Sequence, residues 1–77
     1  MIADRTTAQA VVGAMLEIAR LADSSVIGVD HACSTSEAAR YRLEVGQIMG
    51  CVYDVLAPIF RVHPELEPAS FREPDTR

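Results

Sequence analysis

From Ser34 to Val62 runs a segment whose apolar residues spread over about two-thirds of a helical circumference, more than one neighbouring helix can bury. Its start is written in Ser34 and Glu37, a capping box in which the serine accepts from a free backbone N–H and the glutamate reaches back to the serine. A polar stripe of Glu37, Arg40, Glu44, Gln47, Asp54 and Arg61 follows, with Arg40, Gln47, Asp54 and Arg61 recurring every seven residues. The remaining arc holds Ala38, Tyr41, Val45, Ile48, Met49, Val52, Tyr53, Leu56, Ile59 and Phe60. Such a helix needs apolar partners on more than one side.

Beside the arc lies a row of small residues, Ala39, Gly46, Gly50 and Ala57, in which the two glycines form a G-x-x-x-G spacing. Mid-helix glycines cost about 0.5–1 kcal/mol each relative to alanine, so they predict a close backbone approach, and leucine at either position is predicted to break it. Pro58 removes one helical donor and crowds the carbonyl of Asp54, which predicts a kink; periodicity continues to Val62, and the stop falls at His63 and Pro64.

An earlier, shorter helix is predicted from Thr6, with Gln9 completing a capping box and Asp4 as a rival cap, to about Asp23. Ala8, Val11, Val12, Met15, Ile18, Ala19 and Ala22 fall on one of its faces. Ser24 to Cys33 reads as a ten-residue connector, with Gly28 at a turn and Val26, Ile27 and Val29 tucked beneath it. After Pro64 the composition turns to proline and acid, with Leu66 and Phe71 as the only sizeable apolar residues. Residues 64–77 therefore read as a mobile tail and 1–63 as a helical hairpin domain.

At 77 residues, 49% of them apolar and none tryptophan, the chain is one small domain whose core wants a staple or a partner. A disulfide is not that staple. Cys33 and Cys51 stand 18 residues apart, about 27 Å along a helix, far beyond the ~7 Å that a bridge spans. The remaining route is self-association. The fold predicted is thus all-α, a hairpin dimerising into a four-helix bundle, with Val45, Gly46, Met49, Gly50, Val52, Leu56 and Ile59 in or beside the interface.

The net charge of −4, with every cation an arginine, argues against nucleic acid; the Arg40, Tyr41, Arg42 trio is flanked by Glu37 and Glu44. Arg42 falls on the apolar arc and is expected to pair with Asp23 or Glu17. The apolar run between Glu44 and Asp54 is too short to span a bilayer, Asp4 spoils the basic start of a signal peptide, and a cytoplasmic location is expected.

Asp30, His31 and Cys33 form the best candidate metal cluster, but it lacks a second ligand pair unless His63 reaches it. Ser34 to Ser36 reads as a helix cap, with no nucleophile elbow or phosphate loop nearby. No cofactor, metal or catalytic activity is expected. What remains is a small regulatory or adaptor protein that binds protein, as a homodimer and to a further partner not identifiable from sequence. The alternative is a metal- or redox-responsive dimer using His31 and Cys33.

Overall fold

The computed structural model of the protein describes residues 2–68. Within that span the chain is all-helical: α1, Arg5–Ala32, α2, Thr35–Val62, and a terminal 3-10 turn, Pro64–Leu66. Only Cys33 and Ser34 separate the two long helices, so they fold back on one another as a hairpin.

The first helix is not the shorter one; both contain 28 residues, and the expected connector over 24–33 is helical almost throughout. Ser24, Ser25, Val26, Ile27 and Gly28 are mediocre helix formers, but propensity is a weak prior against packing. Val26 and Val29 continue the inward face of α1 and are half-buried, whereas Ile27 stays exposed. The Ser25 hydroxyl lies 2.6 Å from the Ala22 carbonyl and 2.7 Å from the Tyr41 hydroxyl across the hairpin. Gly28 sits inside the helix and makes no turn.

The seam is regular. Ala8, Val12, Met15, Ala19, Ala22, Val26 and Val29 recur at alternating steps of four and three residues along α1. Ala38, Arg42, Val45, Met49, Val52, Leu56, Ile59 and His63 do the same along α2, the spacing of a coiled-coil seam. Apart from Arg42, every one of these is buried or half-buried. The stripe of Arg40, Gln47, Asp54 and Arg61 lies opposite and is exposed, as its seven-residue period requires. The core gathers at the open end of the hairpin, around Ala8, Val12, Ala19, Val52, Leu56, Ile59 and Phe60. α2 runs through Pro58 without ending and stops at His63.

Polar contacts lock both ends. Asp4, not Thr6, caps α1: its carboxylate accepts from the Thr7 backbone N–H at 2.9 Å and the Thr7 hydroxyl at 2.6 Å, while Gln9 accepts from Arg5 instead. Ser34 and Glu37 form the expected capping box on α2. At the open end the buried His63 holds the chain terminus. Its Nε2 lies 2.8 Å from the Ile2 carbonyl, which can only accept, so Nε2 carries the proton. Arg5 donates to Glu65 at 2.9 Å, and Ile2 and Leu66 pack on the core. The first residues of the expected mobile tail, 64–68, are therefore docked; Phe71 and the rest of 69–77 lie outside the described residues.

Leu56 is fully buried, so Leu56→Ala is expected to cost about 2–5 kcal/mol in urea unfolding. A Cβ at Gly46 or Gly50 would meet nothing within 4 Å. Gly46→Ala is accordingly expected to raise stability by about 0.5–1 kcal/mol, and a loss would mean that another chain packs there.

The caps also set an acid limit. The Thr7 hydroxyl and N–H hold Asp4 below 3.8, and the Ser34 N–H and hydroxyl hold Glu37 below 4.5. Glu65 is lowered as well, by its own backbone N–H and then by Arg5. Because the folded values lie below the unfolded ones, this stabilisation is complete above about pH 4.5 and is lost as pH falls through the lowered values. Helicity followed by circular dichroism is expected to drop in that window. Glu37→Gln, which keeps a capping side chain without the titration, should make the drop shallower.

Candidate interaction surface

The side chains with the strongest chemistry do not converge. His31 and Cys33 are exposed at the end of α1, and Asp30 beside them is taken by Arg42 in an ion pair, replacing the expected Asp23 or Glu17. His63 cannot complete the cluster, since it is held at the other end of the hairpin by Ile2. No group of three His, Cys, Asp or Glu able to hold a metal exists among the described residues. Cys33 and Cys51 are both free and exposed, in keeping with their expected separation. A shallow cleft at the turn, lined by Asp30, Cys33, Thr35, Ala38, Ala39 and Arg42, is closed on its charged side by the Asp30–Arg42 pair.

What the fold leaves conspicuous is apolar surface on its flanks. In an antiparallel pair the residues beside the seam line two edges, and the Ser25–Tyr41 contact fixes which positions share an edge. Stepping seven residues back along α1 and seven forward along α2 puts Ile18 opposite Ile48 and Val11 opposite Val55. Three residues on from these pairs and from Ser25 and Tyr41 lie Ala14, Leu21 and Gly28 on α1 and Glu44, Cys51 and Pro58 on α2, extending the same edge outward. Leu21, Ile18, Ile48, Val55 and Val62 are all exposed there.

The other edge is different in kind. It carries Arg20, Asp23 and Asp30 from α1 and the small residues Ala39, Gly46 and Gly50 of α2. Its exposed apolar residues Ile27, Leu43 and Tyr53 are separated by these charges and glycines.

This geometry redistributes the residues expected at an interface. Val45, Val52, Leu56 and Ile59 are buried against α1 and Met49 is half-buried, so the hairpin itself consumes them. Gly46 and Gly50 are exposed on the charged edge, with open space where a close neighbour was expected. Sequence reasoning assigned Ile18 to the buried face of α1 and overlooked Leu21, Val55 and Val62. The signal that could have found the edge was the seven-residue repeat of Val11 with Ile18 and of Ile48, Val55 and Val62, adjacent to the seam positions.

By length and composition α2 could also cross a membrane: its most apolar 18-residue stretch has a mean hydropathy of 1.3, more than the run between Glu44 and Asp54 suggested. As a lone span it would carry Asp54 in hydrocarbon, a cost of about 2.5–3.5 kcal/mol at the bilayer centre. In the hairpin that stripe faces outward and the opposite face is covered by α1. No protein family, no curated protein and no solved structure matches this chain.

Proposed function

We propose that this protein is a small, non-enzymatic regulatory or adaptor protein that acts by binding protein, and that two hairpins pair into a four-helix bundle in the cytoplasm. One observation carries the reading. The hairpin buries a single seam and leaves eight large apolar side chains exposed among the described residues, five of them, Ile18, Leu21, Ile48, Val55 and Val62, along one edge. Monomeric soluble proteins rarely expose contiguous apolar patches beyond a few hundred Å², and an unsatisfied patch of that kind marks a surface made to be covered.

The same surface speaks against the other classes. Nucleic acid requires a basic face, whereas the chain is acidic and four of its arginines (Arg5, Arg20, Arg40 and Arg42) are paired to carboxylates. A metal-responsive role for His31 and Cys33 would need further ligands, and no group of three His, Cys, Asp or Glu able to hold a metal exists among the described residues. Self-association supports the reading most economically, because one patch on a two-fold symmetric dimer covers its own copy.

Light scattering over a concentration series is the test. The expected mass is twice the 8.4 kDa of the chain at micromolar concentration and above. A monomer at every concentration would overturn the dimer, and sedimentation of that monomer with zwitterionic lipid vesicles would transfer the apolar surface to a bilayer.

A further inference from the structure

We infer that the apolar edge bearing Ile18, Leu21, Ile48, Cys51, Val55 and Val62 is the surface on which a second copy of this chain docks, and that the glycine-bearing edge stays outside the dimer. The inference rests on the dimeric reading and says where the dimer is made.

Three observations point to this edge. The first is charge: copies that each carry −4 repel, so a self-interface favours a face free of like charge. Along α1 from Val11 to Gly28 the edge holds no charged side chain and along α2 it holds Glu44, paired to Arg40, whereas the opposite edge displays Arg20, Asp23 and Asp30 on α1.

The second is area. Ile18 is 41% exposed, Leu21 55%, Ile48 47%, Val55 36% and Val62 47%. Together they leave on the order of 400 Å² of apolar surface, already as large as the biggest patch a typical monomer tolerates. The strip runs about 25 Å along the helices, and these five side chains alone supply about half of the ~800 Å² that each partner buries in a stable interface.

The third is shape. The edge is a double row, one from each helix. A single foreign helix laid between the rows would cover Ile18, Ile48 and Val55 but leave Leu21 and Cys51 wet at the outer margins. A second hairpin covers both rows at once and extends each seam into a bundle core.

The two free cysteines make the inference testable on the unmodified protein. Cys51 lies within the proposed surface and Cys33 at the turn outside it, and both are exposed in the single hairpin. N-ethylmaleimide labelling, read residue by residue by mass spectrometry, is run on samples whose mass is measured by light scattering. Where the protein is dimeric, Cys51 is expected to label roughly tenfold more slowly than in the diluted monomer, while Cys33 keeps its rate. Ile48→Glu is expected to give a helical monomer and Tyr53→Glu, on the other edge, an intact dimer.

A dimer in which Cys51 keeps its monomer rate would overturn this surface while leaving dimerisation standing. So would a dimer that survives Ile48→Glu and is lost with Tyr53→Glu. A protein monomeric throughout would overturn dimerisation itself. If Ile48→Glu fails to fold, the labelling of the unmodified chain still decides.

Discussion

Two helices packed side by side have one seam to bury, and the character of this protein follows from how that seam is filled. Small residues face inward from α1, chiefly Ala8, Ala19 and Ala22, and larger ones from α2, above all Leu56, Ile59 and Phe60. Among the described residues only Leu56 and Ile59 are large side chains buried completely. Full burial stabilises such a side chain by about 1.5–3 kcal/mol, while ordering each residue of backbone costs about 1–2 kcal/mol. A seam of this width is a thin core for two helices of 28 residues. The caps at Asp4 and Ser34 and the His63 contact at the open end are therefore more than trim, since each removes an orphan backbone group where the helices would otherwise fray.

The open end shows how little chain is needed to finish a small core. His63 is the last position of the α2 seam, and the proline after it turns the chain across the end of the hairpin. That turn brings Glu65 to Arg5 and Leu66 onto the core beside Ile2. The ion pair is solvent-exposed and worth little by itself. Its use is positional, because it holds Leu66 over apolar surface that the helices leave uncovered.

Much of this was legible in residues 34–63. Ser34 and Glu37 announced the start of α2, His63 and Pro64 its end, and the seven-residue stripe its outward face, because those signals are local and need no partner. The extent of α1 was not legible. Ser24 to Gly28 have the composition of a connector, and what keeps them helical is the seam they share with Ala38, Arg42 and Val45 on the other helix. The hairpin also uses residues that the sequence marked for an interface: Val52, Leu56 and Ile59 share one core with Ala8, Val12 and Ala19 of α1, and the apolar residues left exposed lie on the flanks. Gly46 and Gly50 remain without a physical account in the hairpin, since neither turn nor contact requires them.

The magnitudes connect folding to association. A stable interface of standard size buries about 1,600 Å² in total, and what it gains has to exceed about 4–15 kcal/mol of lost translational and rotational freedom, with more for ordering side chains. For a chain whose own seam is thin, the proposed second copy would be less a ligand than an extension of the core. Any further protein partner would meet the outward stripe and the charged edge, the surfaces that such a dimer leaves in water.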